Sequence, residues 1–260
     1  MRRRVLAFVL AATIVVTAAL SRAAVSTERF TIGPPVFCLM VTGKDDSRIN
    51  YARGSVRNFL GQTYANKQLV IVNHHETRSV LTGDLDGVTE VRVSKAGRTL
   101  GDLRNISLSY VRPGAIWTTW DDDDVRRADY LSVLFGRMVT TGADVVLYTR
   151  RFEYNVNTDL AYTLHLPDGC WIFFAKYDAN YRYDSLDTRE DNAVKAQLKT
   201  LNKTVDLFDN PPSLYIRLVH TNNTSTAVDP GKQTLTANEQ AVTEYEHAYI
   251  KRSVYGTFAS

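Results

Sequence analysis

Apolar and polar positions along this chain alternate between two patterns, a short wholly apolar run and a stretch with apolar residues at helical spacing. Val36 to Thr42 (VFCLMVT) is apolar throughout and rich in strand formers, as expected of a strand buried on both faces. Gly43 breaks that run. Ala52, Val56, Phe59 and Leu60 then recur at helical spacing in a helix predicted over Asn50 to Leu60 and stopped by Gly61. Gln68 to Asn73 (QLVIVN) reads as the next strand, Val88 to Val93 as a short one, and Leu100 to about Tyr110 as a helix. Arg112-Pro113-Gly114 leads into a strand at Ala115 to Trp120. Asp129 to Val139 is predicted helical, and Val145 to Arg151 and Cys170 to Ala175 (CWIFFA) are predicted strands. Leu214 to Val219 resembles a strand, and Ala237 to Ser253 a helix of mixed charge.

Strands alternating with helices imply an α/β fold, a doubly wound and mostly parallel central sheet with helices on both faces. Ligands of such sheets bind at the carboxyl ends of the strands, so the positions just past Thr42, Asn73 and Trp120 are expected to converge on one crevice. There is no internal repeat and no low-complexity tract.

The chain has 260 residues, 44% of them hydrophobic, enough to bury a core. Its net charge of +3 comes from 31 basic and 28 acidic residues. Arg2, Arg3, Arg4 and Arg22 lie in the first 22 residues, which contain no acid; setting those four aside leaves 27 basic against 28 acidic. The basic excess belongs to the leader, and the body carries no field for nucleic acid.

Val5 to Leu20 is a 16-residue apolar run behind the triple arginine. It fits a secretory signal peptide or a type II signal anchor, and Ser21-Arg22-Ala23 offers small residues for cleavage. Either reading sends the body into the secretory pathway, as the luminal domain of a single-pass membrane protein or as a secreted one. The expected organisation is a leader or anchor at 1–24, a linker at 25–35, a catalytic domain at 36–228 and a helical extension at 229–260. Cys38 and Cys170 each sit in an apolar stretch, as buried thiols or as one bridge. Asn105, Asn202, Asn222 and Asn223 begin acceptor patterns for N-glycosylation.

Asp121-Asp122-Asp123-Asp124 follows the predicted strand Ala115 to Trp120 directly. Adjacent like charges repel by about 1 kcal/mol per close pair even in bulk water. Magnesium and manganese, hard cations held by one or two carboxylates with substrate phosphates completing the shell, would relieve that repulsion. A solvated acidic loop is the plainer reading, and the position at a strand tip argues against it.

The order strand, Asp-x-Asp-Asp, then helix with Asp129-Tyr130-Leu131 resembles the nucleotide-binding half of the family 2 glycosyltransferases of the GT-A fold. Ser55-Val56-Arg57-Asn58-Phe59-Leu60-Gly61-Gln62-Thr63-Tyr64 is similar to that family's helix end before its second strand. Gly101-Asp102-Leu103-Arg104-Asn105 is similar to its helix start before the acidic strand. The resemblance runs from about Val36 to Asp191, about 60% of the chain.

The resemblance implies an inverting, Mn²⁺- or Mg²⁺-dependent transfer of a sugar from a UDP- or GDP-sugar donor to a glycan or other hydroxyl acceptor. It implies that Asp121 contacts the ribose or the metal, that Asp123 is the chief metal ligand, and that Asp122, at the donor site, and Asp124 are lesser members of the same shell. Arg104 adds positive charge near the diphosphate, or is structural. Glu190-Asp191, opening a late helix, implies Asp191 as the base and Glu190 as a positioning or acceptor contact; acids at a helix start are otherwise capping residues. His220, after a late strand, is a candidate third metal ligand or a packed polar residue. Thr42 and Asp45 lie where the nucleotide pocket is expected, though Asp45 also suits a turn. After the second strand the family shows acidic residues, whereas this chain has Asn73-His74-His75-Glu76; Asn73 offers a donor and an acceptor to a base edge. Two other classes compete: a catalytically silent glycan- or nucleotide-binding module of the same fold, and a metal-dependent nucleotidyltransferase, which would have little use for a secretory leader.

Overall fold

The computed structural model describes residues 33–221 and 234–258. The leader and the acceptor patterns at Asn222 and Asn223 lie outside the described residues. Among the described residues no helix is long and apolar enough to cross a membrane.

The elements in chain order are β1 (Val36–Thr42), α1 (Asp46–Leu60), β2 (Lys67–Asn73), β3 (Val88–Arg92), α2 (Leu100–Leu108), β4 (Ile116–Thr119), β5 (Val125–Arg126), α3 (Tyr130–Thr141), β6 (Val145–Tyr148), β7 (Arg150–Asn155), β8 (Leu160–His165), β9 (Phe174–Lys176), α4 (Asp191–Thr200), β10 (Val205–Phe208), a 3₁₀ turn (Pro212–Leu214), β11 (Tyr215–Val219), β12 (Glu239–Ala241) and α5 (Glu244–Phe258). Seven strands form the central sheet in the order β10-β6-β9-β4-β1-β2-β3, and five form a second sheet in the order β12-β8-β7-β11-β5. In the central sheet β1 pairs in parallel with β2 and β4, β2 with β3, and β6 with β10; β9 alone runs antiparallel, between β4 and β6.

The apolar runs became central strands for the reason their composition suggests. Val36, Cys38, Met40, Leu69, Ile71 and Val72 are fully buried, and strands covered on both faces take no polar alternation. The covering helices lie on opposite faces. On one, Trp120 donates from Nε1 to the Ser55 hydroxyl of α1 at 2.9 Å and meets Phe59 edge to face. On the other, Trp117 packs against Tyr181 and Tyr183, and Asn105 of α2 makes two hydrogen bonds with the Tyr183 backbone, at 2.8 and 2.9 Å. That pairing occupies both ends of the Asn105 amide, one of the expected glycosylation positions.

Several boundaries depart from the sequence pattern. Helix α1 begins at Asp46, because the Asp45 carboxylate accepts from the Arg48 amide at 3.1 Å and caps the helix a turn earlier than the apolar spacing shows. In CWIFFA only Phe174 and Ala175 join a strand. Cys170 to Phe173 instead form a tight approach to the sheet, with the Cys170 amide donating to the Tyr148 carbonyl at 2.9 Å. The run Val145 to Arg151 divides between β6 of the central sheet and β7 of the second, which the pattern did not show as a separate sheet. The expected C-terminal helix is α5, starting seven residues later at Glu244, with β12 before it paired to β8. Ile250 and Val254 of α5 pack on Phe152, Tyr154, Ile216 and Leu218 in a small second core. Cys38 and Cys170 are buried free thiols.

Candidate functional site

Strand order reverses between β1 and β4, and their carboxyl ends open a crevice at that switch point. The Thr42 hydroxyl at the end of β1 donates to Asp122 Oδ2, just past β4, at 2.6 Å. The acidic turn is anchored at both ends. The Trp120 amide donates to the Leu39 carbonyl, the Ser55 hydroxyl to the Asp121 carbonyl at 3.2 Å, and β5 pairs Arg126 opposite Tyr215. This short antiparallel pairing ties the turn to the second sheet.

The four aspartates have four different environments. Asp121 is the open one, its side chain 34% exposed with Arg104 Nη2 at 3.4 Å. Asp122 is buried, and the Arg48 guanidinium of α1 clamps it through Nε and Nη2. Asp123 is buried between Arg48 Nη1 and His220 Nε2, the latter 3.0 Å away. Asp124 is buried beneath the second sheet, accepting from the Tyr215 hydroxyl and from the Leu218 amide at 3.0 Å. Like charges packed this closely cannot all ionise freely. Burial, against the pull of Arg48, pushes Asp122 up to about 7, and the charge of Asp123 adds to it. Burial also pushes Asp124 up to about 7, helped by Asp123 and Asp121. Asp123 goes the other way despite its burial, because Arg48 and His220 hold its carboxyl well below the usual range.

Arg48 is central to this arrangement and carried no signal in the sequence. It is one cation on a polar helix start; only the approach of α1 to β4 reveals what it meets. Tyr51, one turn on, stacks on the His220 ring with centroids 4.8 Å apart and planes 18° apart. Arg126 is also buried. Its guanidinium lies over Trp120 at 4.1 Å and Tyr215 at 5.0 Å, while Nη1 donates to the Asp121 carbonyl at 3.3 Å.

The second acidic pair is brought to the same crevice by α2. Glu190 is buried and its Oε1 lies 2.9 Å from Arg104 Nε, so one guanidinium touches both Asp121 and Glu190. Helix α2 also holds the loop that leads to Glu190. The Leu100 amide donates to the Asp187 carboxylate at 3.0 Å, the Gly101 amide to the Leu186 carbonyl at 3.0 Å, and the Ser185 hydroxyl to Asp102 at 2.6 Å. Gly101 is required here, since a Cβ would stand 1.7 Å from the Asp184 carbonyl oxygen. Burial raises the pKa of Glu190 and of Asp191, and Arg104 opposes the rise in both. Asp191 opens α4, where the helix dipole favours a carboxylate.

The remaining expected positions are spent within the fold. Asp45 caps α1. Asn73 is fully buried, its amide donating to the Arg78 carbonyl at 2.8 Å and to Glu90 at 2.7 Å while its Oδ1 accepts from the His75 amide at 2.8 Å. It shapes the loop beyond β2 and offers no free edge. That loop closes over Gly43, whose φ of +110° and whose absent Cβ, which would lie 2.3 Å from the His75 nitrogen, make glycine obligatory. Between the loop and β3 opens a cleft of about 940 Å³ lined in part by Lys44, His74, Arg92 and Lys95. Burial, then Lys95, lowers the pKa of His74, which favours its neutral ring.

Among the described residues no three His, Cys, Asp or Glu side chains already converge as a metal cage. The donor set nevertheless fits a hard divalent cation. Asp123 and His220 are 3.0 Å apart, Asp121 lies open two residues before Asp123, and carboxylate oxygen with imidazole nitrogen suits manganese or magnesium whose other ligands are phosphate and water.

No family model matches the chain, and no curated protein does. Solved structures do resemble it. S. aureus TarS 1-349 in complex with UDP-GlcNAc aligns at a TM-score of 0.55 and 13% identity, over 86% of this chain and 66% of that one. The same protein without a named ligand aligns at 0.54 and 12%, over 71% and 60%. The mannosyltransferase PcManGT from Pyrobaculum calidifontis, in complex with GDP-Man and Mn²⁺, aligns at 0.52 and 14%, over 75% and 59%. The chain spans less than two thirds of each of those chains. At such identities the likeness is one of fold: this is a mixed α/β GT-A fold, shared with structures that hold nucleotide sugars.

Proposed function

We propose that the protein is an inverting glycosyltransferase that moves a sugar from a UDP- or GDP-sugar to a hydroxyl of a glycan acceptor. The observation that carries this reading is the Arg104 bridge, one guanidinium touching Asp121 of the acidic turn and Glu190 beside Asp191. It brings a donor-facing carboxylate and a base-bearing helix start into one crevice, although about 70 residues separate them in sequence. The fold shared with nucleotide-sugar complexes supports the donor class.

In this reading Asp191 takes the proton of the acceptor hydroxyl. Its oxygen attacks the anomeric carbon from the face opposite the diphosphate, and the bond from that carbon to the diphosphate oxygen breaks. Burial raises the pKa of Asp191, which makes it a better proton acceptor than an exposed aspartate, and Arg104 opposes that rise. Glu190, held by Arg104, fixes the first turn of α4. The cationic cleft of Lys44, Arg92 and Lys95 is suited to the nucleotide half of the donor. Mn²⁺ or Mg²⁺, held by Asp123 and His220 with Asp121, would supply Lewis-acid neutralisation of the departing diphosphate. The secretory leader extends the proposal to a luminal or secreted site of action, with glycan acceptors.

The test is Asp191→Asn in the purified chain. It should keep donor binding and lose transfer to acceptor; retained transfer would remove Asp191 from the base role.

A further inference from the structure

We propose that Trp171 and Lys195 form an acceptor platform, on which a pyranose ring of the acceptor stacks beside Asp191; the inference rests on the glycosyltransferase reading above. Of the chain's three tryptophans, Trp117 and Trp120 are fully buried while Trp171 is 41% exposed. An exposed indole offers a large flat apolar face with a polar edge, the shape that a sugar ring can stack on.

Topology puts it on the right side. Strand β9 runs antiparallel to β4 and β6, with Phe174 opposite Thr118 and Val146, so the residues preceding Phe174 emerge at the carboxyl ends of those two strands. The acidic turn leaves β4 at that same end. The segment is also held firmly. Gly169, with φ +76°, is pressed so close to the sheet that a Cβ would lie 2.7 Å from the Leu147 Cβ. Cys170 and Ile172, on either side of the indole, are buried.

Lys195 fixes the ring. Its Nζ lies 4.2 Å from the indole centroid and donates to the Asp168 carbonyl at 2.9 Å, so the ammonium covers one face of the ring in a cation–π contact. Lys195 follows Asp191 by four residues on α4, one turn along the same helix edge. The lysine that holds the indole thus stands one helical turn from the residue assigned as the base. The axial C–H face of a pyranose, apolar and flat, complements an open indole, and stacking there would aim one ring hydroxyl along the helix edge toward Asp191.

Acrylamide quenching of tryptophan emission reads Trp171 selectively, the other two being buried. Methyl β-D-glucopyranoside, methyl β-D-galactopyranoside and methyl α-D-mannopyranoside serve as probes. At least one should shield the emission saturably in the wild type and not in Trp171→Phe; no shielding by any of the three overturns the platform. In transfer assays with the shielding glycoside, Trp171→Ala should raise the acceptor KM about tenfold, the equivalent of one aromatic contact, and Trp171→Phe by less. An acceptor KM unchanged in Trp171→Ala, with circular dichroism confirming the fold, also overturns it. Donor hydrolysis by the wild type without acceptor tests the glycosyltransferase reading separately, so failure of that reading is distinguishable from failure of the platform.

Discussion

Arg104 Nε lies 2.9 Å from Glu190 Oε1, and the same guanidinium reaches Asp121 at 3.4 Å. A buried ion pair is costly to break from one side, because the remaining charge is left without a partner. Arg104→Met should therefore destabilise the fold by about 3 kcal/mol in denaturant unfolding. It should also lower kcat by about 100-fold as Asp121 and α4 lose their common tether. Because Arg104 opposes the upward shift of Asp191, the acid limb of the pH–rate profile should move to higher pH in this variant. An unchanged limb would separate Arg104 from Asp191.

Gly101 is where the two halves of the site meet. Gly101→Ala places a methyl against the Asp184 carbonyl, and backbone has to move on one side or the other. The expected cost is about 1–3 kcal/mol, with a fall in transfer rate larger than the fall in donor affinity. Equal losses in both would show that the loop at Asp184 does not set the position of Asp191.

Asp124 gives a pH signature. Burial raises its pKa from an ordinary 3.8 to about 7. A proton held more tightly in the folded chain stabilises the fold fully below the unfolded pKa, and that contribution is lost as pH rises through the folded value. Without divalent cations, the melting temperature should fall between about pH 4 and about pH 7. Asp122, also raised to about 7, contributes to the same fall, while Asp123 and Glu153, whose pKa values are lowered, act at the acid end below this window. Asp124→Asn keeps both hydrogen-bonding positions and should flatten the fall; an identical slope would assign it elsewhere.

Removal of divalent metal by a chelator should abolish transfer, and Mn²⁺ or Mg²⁺ should restore it. His220→Ala should raise the Mn²⁺ concentration for half-maximal turnover by about tenfold or more. If that concentration is unchanged, His220 is a packing partner of Tyr51 and Asp123 only.

The central sheet was legible in the sequence because β1, β2 and β4 are buried on both faces, and a double-sided strand announces itself as an unbroken apolar run. The acidic turn was legible for a related reason, as a cluster of like charges directly after such a run. The second sheet was not. Its β7 reads RRFEYN, and the inward side chains Arg151 and Glu153 are charged yet buried because they pair with each other and with Tyr162. Phe152 and Tyr154 do alternate with Arg151, Glu153 and Asn155, but this short stretch follows the apolar run of β6 after one residue, so the pattern marks no boundary between two sheets. Cys170 to Phe173 misled in the opposite sense, apolar like a strand but an irregular segment held against Tyr148 with Trp171 left exposed. Arg48, which clamps two of the aspartates, was beyond reach, since only tertiary approach gives a lone arginine on a helix its meaning.

The most direct test of the central claim is release of nucleoside diphosphate. The purified protein, with Mn²⁺, is offered UDP- and GDP-sugars singly, and free UDP or GDP is measured with and without a glycan acceptor. The account predicts metal-dependent release from at least one donor, increased by acceptor and lost from the Asp191→Asn variant in its acceptor-dependent part. No release above blank from any donor would contradict it and leave a silent module of the same fold, while release of inorganic pyrophosphate from nucleoside triphosphates would move the protein to another class of transferase.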